Sequence, residues 1–416
     1  MDKWEQELKK HVDLALPDSI DERIQLTLSQ IKRKHNKSSK LRHGATAAVA
    51  SLVLIFGLSS LSPVFAEAMK SLPLVESIFE LGGDAGMKRG NQLQLTAKIG
   101  QQVQIEDQLV TFTESLYDGS NINLGIIVTE KDEDPLAFAT GIVYTVDGEV
   151  LEYGGNSSLE KLGDGTYAGT ISITPDRQLP DSFVLGILSR DQTKTLAEIP
   201  VKRQGGSHTY TIAQTRIWND IEVNYEAVTL FPTTTEINFQ LRNTDSAFWE
   251  LQIYDEQGRV LQPISHHARG SDNQVEVKTY FEPLETIPKQ LTIKPYLSSF
   301  ESDTKWSGKW NGTPITLSQG KAGALTILDR KWENNQLTLT YEVTGERIFE
   351  QMNQIWLEDR NGNRYFKETA PIRIHGSSQY QVTFSNVTNI DTIYICTAQV
   401  NIHYLEELAV TVDLAK

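Results

Sequence analysis

The chain has 416 residues, of which 39% are hydrophobic and 22% charged, a composition that excludes a disordered or many-span protein. Its formal net charge is −15, and its one cysteine, Cys396, excludes an intramolecular disulfide framework and any multi-cysteine metal site. Because Cys396 follows Ile393, Tyr394 and Ile395, we expect it to be a buried strand residue rather than a reactive thiol.

Residues 1–43 are predicted to form a cytoplasmic helical arm. They carry ten Lys/Arg and seven Asp/Glu, a net charge of +3, which leaves −18 for the rest of the chain. Apolar residues recur at helical spacing on both sides of Pro17, and Ser19 with Glu22 forms a capping-box pattern before the second stretch. The two apolar stripes consist of Trp4, Leu8, Val12, Ile20, Ile24, Leu28 and Ile31.

These stripes leave two interpretations open. Isolated helices of this length are marginal in water, so each stripe needs a surface to pack against. The stripes either bind a groove of a cytoplasmic partner, or they pair with each other or lie on the membrane surface. We therefore treat the seven residues as candidate partner-binding residues.

A membrane span is predicted for residues 44–66, which contain no charged residue. As a helix this run reaches about 34 Å, enough to cross a lipid bilayer. Six basic and no acidic residues between Lys32 and Arg42 predict a cytoplasmic N-terminus and an extracytoplasmic C-terminal region. The alternative is a cleaved signal peptide ending at Val64-Phe65-Ala66, but the run is too long and begins too late in the chain. A retained single-pass anchor in the cell membrane is therefore the prediction.

Residues 67–89 are predicted to be a juxtamembrane helix and linker. The apolar residues of 72–81 predict a short helix that ends at Gly82-Gly83. From about residue 90 the apolar period changes to two, which predicts a half-buried strand through Leu93, Leu95, Ala97 and Ile99.

An internal repeat organises the rest of the chain. The segments 144–152 (YTVDGEVLE), 254–262 (YDEQGRVLQ) and 357–366 (LEDRNGNRYF) each predict a strand, a turn glycine and a return strand. Similar strands precede and follow them in the same order. The fold class predicted is mainly β, with tandem immunoglobulin-like sandwiches outside the membrane at 90–204, 205–318 and 319–416. Two larger domains are the alternative.

The joints between these domains are predicted at Lys202–Ser207 and Ser318–Gly323, which are polar and contain glycine. Several tryptophans are expected in the sandwich cores rather than in binding clefts. These are Trp218, Trp249, Trp306, Trp310 and Trp332.

No motif of known catalytic or nucleotide-binding chemistry is present in the sequence. We therefore expect no enzyme activity and no cofactor. His266 and His267 are adjacent, so in a strand they would point to opposite faces and would not share a metal ion. The acidic run 130–134 lacks the spacing of a calcium loop and is expected to be a solvated turn. The acidic outer region disfavours direct nucleic-acid binding.

The residues that follow the predicted span carry a resemblance to a known family. Ser62-Pro63, Leu72-Pro73, Ile78-Phe79 and Gly83-Asp84 lie where a family of single-pass membrane proteins from Gram-positive spore-formers has the same residue types, although Glu76 replaces an expected glycine. The arm segment LPDSIDERIQLTLSQIKRK also resembles that family, whose members are anti-sigma-factor-like negative effectors of extracytoplasmic-function sigma factors.

The resemblance implies a division of labour between the two sides of the membrane. The inner arm would sequester an extracytoplasmic-function sigma factor, and the outer β domains would sense or transmit an envelope signal. The alternative is a cell-surface binding or structural protein, whose outer domains bind a wall ligand or an envelope protein; an ectoenzyme is the third hypothesis.

Overall fold

The computed structural model describes residues 77–129, 135–163, 165–243, 250–271, 273–333, 335–365, 367, 370–374 and 377–415. The predicted arm and the predicted span at 44–66 lie outside these residues. Within them, no helix is both long enough and apolar enough to cross a membrane.

The described chain begins with two short helices, α1 (Ile78–Gly82) and α2 (Ala85–Gln92). The first helix ends where the glycine pair predicts. The second was not predicted, and it delays the first strand to Thr96, so Leu93 and Leu95 precede that strand. The reason is local: Asp84 accepts a hydrogen bond from the Met87 amide at 2.8 Å and caps α2, which the alternation of apolar residues does not reveal.

Strands follow in three groups. The first group, with one short helix, is β1 (Thr96–Ile105), β2 (Gln108–Tyr117), β3 (Ile122–Thr129), α3 (Ala137–Thr140), β4 (Ile142–Val146), β5 (Glu149–Val150), β6 (Tyr153–Gly163), β7 (Thr166–Pro175), β8 (Ser182–Ser189) and β9 (Thr195–Lys202). The second is β10 (His208–Trp218), β11 (Ile221–Leu230), β12 (Thr235–Arg242), β13 (Glu250–Asp255), β14 (Pro263–Ser271), β15 (Gln274–Phe281) and β16 (Gln290–Gly308).

The third group also contains one α-helix. It is β17 (Ile315–Ser318), β18 (Gly323–Glu333), β19 (Gln336–Gly345), α4 (Phe349–Asn353), β20 (Trp356–Glu358), β21 (Arg364–Tyr365), β22 (Ile372–Arg373), β23 (Gln379–Phe384), β24 (Tyr394–Tyr404) and β25 (Val410–Asp413). Short 3-10 helices lie at Gly320–Ala322, Ile390–Thr392 and Glu406–Leu408. The protein is therefore mainly β, as predicted.

The strands of the described residues form five antiparallel sheets. Sheet 1 has the order β1-β2-β3-β7-β6 and sheet 2 the order β5-β4-β8-β9. Sheet 3 is β10-β11-β12-β15-β14, sheet 4 is β13-β16-β24-β20-β21 with β25 also paired to β16, and sheet 5 is β17-β18-β19-β23-β22. Sheets 1, 3 and 5 share one connectivity, in which three consecutive strands are followed by the fifth and then the fourth strand of the sheet.

The predicted strand–turn–strand segments all lie in sheets 2 and 4. Segment 144–152 forms the β4–β5 hairpin, Tyr254 bridges to Val260, and segment 357–366 contains the β20–β21 pair. The turn glycines have positive φ angles of 87°, 76° and 83°, a conformation that favours glycine. The internal repeat is thus confirmed in strand order and in turn geometry.

Three large apolar cores lie between the sheets. The first fills the space between sheets 1 and 2, the second lies between sheets 3 and 4, and the third lies between sheets 5 and 4. Sheet 4 contributes to both the second and the third core because β16 is 19 residues long. The division into three domains at the predicted boundaries stays a prediction. Two contacts cross the predicted boundary between residues 318 and 319: β17 pairs in sheet 5, and residues 405–414 supply five side chains to the second core.

Candidate functional site

The residues Ser77–Gln92, hereafter the proximal segment, are the described residues nearest to the predicted span. Its helices begin at side-chain caps: Ser77 Oγ accepts a hydrogen bond from the Phe79 amide at 3.2 Å, and Asp84 caps α2. Burial raises the pKa of the Asp84 carboxyl, and the Met87 and Gly86 amides oppose that rise.

Apolar contacts hold the proximal segment on the face of sheet 1 that is turned away from the first core. Ile78 packs with Ile127 of β3 and Ala168 of β7. Phe79, which is fully buried, packs with Met87 and with Leu116 of β2. Two small apolar clusters therefore fix α1 and α2 to the sheet.

A buried carboxylate adds polar contacts to the same place. Glu114 Oε1 accepts hydrogen bonds from Ser77 Oγ at 2.8 Å and from the Ile78 amide at 2.6 Å, and Glu114 Oε2 lies 2.7 Å from Lys98 Nζ. The Glu114 side chain is 1% exposed. Since the first amides of a helix have no partner within the helix, Glu114 satisfies donors that would otherwise be buried alone.

The fold makes room for this carboxylate at a bulge in β2. The register of the β2–β3 pair shifts between Phe112 and Glu114, which places Glu114 opposite Gly125. A Cβ atom on Gly125 would lie 2.8 Å from Thr113 Oγ1 and 2.9 Å from Glu114 Cγ, so a larger residue there would require these side chains to shift. The glycine thus opens the path that the side chain takes across the sheet.

Sheet 1 meets sheet 3 beside the proximal segment. Asp118, just after β2, accepts hydrogen bonds from the Thr233 amide at 2.9 Å and from Thr233 Oγ1 at 2.7 Å. Both residues are 1% exposed, and Thr233 lies in the turn between β11 and β12. Arg203, in the connection between β9 and β10, donates to the Asp118 carbonyl oxygen at 3.0 Å. These contacts fix the two sheets to each other.

A second junction joins the turn region after β15 to sheet 5. Arg373 Nη1 lies 2.6 Å from Glu282 Oε1 and also donates to the Val260 carbonyl oxygen at 2.9 Å. The two side chains are 8% and 11% exposed. Burial raises the pKa of Glu282, although Arg373 and Arg259 oppose that rise. This buried ion pair connects the second and third cores.

The predicted partner-binding residues cannot be placed, because all seven lie outside the described residues. These are Trp4, Leu8, Val12, Ile20, Ile24, Leu28 and Ile31. The acidic run 130–134 and Trp249 lie outside them as well. Their roles stay predictions.

The other predicted residues have definite positions. His266 and His267 are consecutive residues of β14, and the described part of the chain contains no cluster of three or more metal-ligand side chains. Cys396 is fully buried in β24, as predicted, and burial raises the pKa of its thiol to about 12.

The tryptophan prediction is only partly correct. Trp218, Trp306 and Trp310 are half-buried residues packed against the cores. Trp332 is 42% exposed, because its indole nitrogen reaches the Val387 carbonyl oxygen at 2.8 Å instead of entering the core.

Sequence reasoning missed Glu114, Asp118 and the close packing of α2. Two signals were present: a glutamate within the otherwise uncharged strand QLVTFTESLY, and glycines spaced by four at residues 86 and 90. Spacing by four places residues on one helix face, which favours close approach of another backbone. Neither signal identifies its contact partner.

Two segments of the chain match known families, and both families are of unknown function. Residues 36–130 match a domain of unknown function, DUF4179, and residues 207–319 match a family of unknown function, DUF5643. The first match includes the proximal segment and strands β1 to β3, but not β7. No curated protein matches the sequence.

Three solved structures show distant likeness. A conserved domain protein from Bacillus anthracis is 17% identical and has a TM-score of 0.40, with 60% of this chain and 91% of that chain covered. An I-band fragment of titin and a mutated variant of the same titin domains are each 11% identical, with TM-scores of 0.12 and 0.13. Each titin comparison covers 69% of this chain and 91% of the titin chain.

Proposed function

We propose that the chain is a membrane-anchored, anti-sigma-factor-like regulator. Its arm, residues 1–43, sequesters an extracytoplasmic-function sigma factor in the cytoplasm, residues 44–66 anchor it in the cell membrane, and its outer immunoglobulin-like β-sandwiches sense or transmit an envelope signal. The proposal includes no catalytic step and no cofactor.

The observation that supports this proposal most directly is the docking of the proximal segment on sheet 1. A tail that served only as an anchor would need no ordered contact with the outer sheets. Here Glu114 and the clusters around Ile78 and Phe79 bind the chain 11 residues after the predicted span ends. A displacement of sheet 1 would therefore pull on the chain close to the membrane.

The sequence supports the inner half of the proposal. The arm has two apolar stripes without a core to bury them, and its basic flank predicts that it is cytoplasmic. The resemblance to the anti-sigma-factor-like family covers the arm and the region after the span. The match of residues 36–130 to DUF4179 covers part of the same region.

The test is co-purification of the full chain, with a tag at its C-terminus, from native membranes. We expect a sigma factor to be recovered with the wild-type chain, and Ile24→Asp with Leu28→Asp to lower that recovery at least tenfold and to raise transcription from the sigma factor's promoters. Ser29→Asp is the matched control, because in the predicted helix residue 29 would fall on the face opposite the stripe. If no sigma factor is recovered and the stripe variants leave transcription unchanged, the regulator hypothesis is wrong and the surface-protein hypothesis gains support.

A further inference from the structure

The proximal segment contacts two sheets, not one. A Cβ atom on Gly86 would lie 2.2 Å from the Thr233 carbonyl oxygen, so α2 approaches the β11–β12 turn of sheet 3 as closely as glycine permits. A Cβ atom on Gly90 would lie 2.6 Å from Leu116 Cδ2 of sheet 1 and 3.2 Å from Thr233 Cγ2. The same face of α2 is therefore packed against both sheets.

Thr233 is also held by Asp118, whose carboxylate accepts hydrogen bonds from Thr233 and from Ser120, both outside the proximal segment. The Asp118 carboxylate belongs to sheet 1 and Thr233 to the turn of sheet 3. The position of Thr233 against Gly86 therefore depends on the contact between sheets 1 and 3.

A third contact lies farther along α2. The Arg89 guanidinium reaches the Glu285 carbonyl oxygen at 3.5 Å, in the connection between β15 and β16. Contacts with sheet 3 and its connections therefore extend over more than one turn of the helix.

We infer that the proximal segment is a latch between sheets 1 and 3, released when the two sheets separate. Separation withdraws Thr233 from Gly86 and Gly90, which leaves α2 held by sheet 1 alone and increases the undocked population of the segment. By thermodynamic linkage the reverse also holds: loosening α2 weakens the junction between Asp118 and Thr233. A ligand or force that acts on sheet 3 would reach the chain next to the membrane in this way.

The regulatory meaning of this coupling rests on the proposed function, but the coupling itself is measurable without any sigma factor. The experiment is hydrogen–deuterium exchange on the full chain. Asp118→Ala changes the junction without touching the segment, so we expect the amides of Ala85–Gln92 to exchange at least fivefold faster. Asp107→Ala, an exposed aspartate of the β1–β2 turn, is the matched control and should leave them within twofold of the wild type.

The reciprocal variant is Gly86→Ala, which lies in the segment and should speed exchange of the Thr233 amide at least fivefold. Gly206→Ala is its control, because a Cβ atom there would have no neighbour within 4 Å. Amides in the middle of β3 report whether sheet 1 remains folded; if Asp118→Ala unfolds it, Asp118→Asn, which keeps the volume, replaces that variant.

Two exchange rates decide the inference: that of the Ala85–Gln92 amides in Asp118→Ala and that of the Thr233 amide in Gly86→Ala. The inference is overturned if both stay within twofold of the wild type although each variant loosens its own contacts. Such a result leaves the proposed function standing, since co-purification of a sigma factor tests that separately. If the sigma factor is not recovered but both variants still change exchange on the other side, the coupling stands and the proposed function is wrong.

Discussion

Tyr225 of β11 donates its hydroxyl hydrogen to the Leu408 carbonyl oxygen at 3.0 Å, across 183 residues of sequence. Both residues are fully buried, and burial raises the pKa of the Tyr225 phenol far above its usual range. The bond shows how the chain's last described residues enter the second core. Leu405, Leu408, Val410, Val412 and Leu414 all pack there with side chains of sheets 3 and 4.

Leu408→Ala should therefore destabilise the protein strongly, although residue 408 lies close to the end of the sequence. Removing a fully buried leucine side chain leaves a cavity and costs about 2–5 kcal/mol. Urea unfolding measures this as a lower midpoint. Ile287→Ala is the control, because Ile287 is 53% exposed and should change stability by less than about 1 kcal/mol. Equal effects of the two variants would contradict the packing of Leu408 in the second core.

The buried ion pair of Arg373 and Glu282 predicts a pattern of single and double variants. Arg373→Met leaves the buried Glu282 carboxylate with Arg259, at 3.9 Å, as its remaining ion-pair partner, and should cost up to about 3–5 kcal/mol in the free energy of unfolding. The double variant with Glu282→Leu should recover most of that loss, because no buried charge remains. Arg177→Met removes an exposed pair with Glu149 and should cost at most about 1 kcal/mol. A double variant as unstable as the single one would contradict the prediction.

Glu114→Ala should release the proximal segment while leaving sheet 1 folded. The substitution strands the Ser77 hydroxyl and the Ile78 amide, at a local cost of about 2–3 kcal/mol. Amides of Ile78–Gly82 should then exchange at least tenfold faster in hydrogen–deuterium exchange. Glu198→Ala, an exposed glutamate of β9, is the control and should leave these amides unchanged. Unchanged protection in Glu114→Ala would show that apolar contacts alone hold α1.

Glu236 predicts a pH dependence of stability. Burial beside Tyr280 raises the pKa of Glu236 above its usual value of 4.5, although Lys278 and the Tyr280 hydrogen bond oppose the rise and Glu276 and Asp118 add to it. The folded state thus binds this proton more tightly than the unfolded chain. The contribution of Glu236 to stability is fully present below pH 4.5 and is lost as the pH rises through the raised pKa.

Glu236→Gln should remove this dependence. The free energy of unfolding of the variant, relative to the wild type, is expected to increase between pH 4 and pH 7 in urea titrations at constant ionic strength. Glu198→Gln, whose side chain is exposed, is the matched control. A difference for Glu236→Gln that stays constant or falls with pH would show that its carboxyl is not destabilised by burial.

Local features of this fold were predictable from the sequence, and long-range ones were not. Alternating apolar residues identify the strands, and glycines at residues 148, 258 and 362 identify the turns, because both depend on neighbouring residues only. Cys396 is predicted correctly for the same reason. The helix α2 was missed because its cap, Asp84, stands in a segment rich in glycine, which lowers helix propensity.

The shared sheet 4 and the candidate site depend on contacts between residues far apart in sequence. Nothing near Leu408 indicates that it fills a core with Tyr225, and nothing near Glu114 indicates that its partner is Ser77. A buried glutamate in a strand indicates that a hydrogen-bond donor lies nearby, but it does not indicate which residue supplies that donor. Sequence patterns therefore identify which residues need a partner, and the fold identifies the partner.

The inert cysteine makes the predicted membrane topology directly testable. The Cys396 thiol is fully buried, and its pKa of about 12 keeps it protonated at neutral pH, so a maleimide should modify it roughly a hundredfold or more slowly than an exposed thiol. Two single-cysteine additions then report the two sides: Ser38→Cys in the arm and Gly206→Cys between β9 and β10.

In intact cells, a membrane-impermeant maleimide should label Gly206→Cys within minutes and should leave Ser38→Cys unlabelled until the cells are permeabilised. The wild-type chain should stay unlabelled under both conditions and become labelled in denaturant, which controls for Cys396. Labelling of both added cysteines in intact cells would contradict a cytoplasmic arm. Labelling of neither would contradict an extracytoplasmic β region, and either result would overturn the regulator proposal, because an arm outside the cell cannot reach a sigma factor and sheets inside it cannot sense an envelope signal.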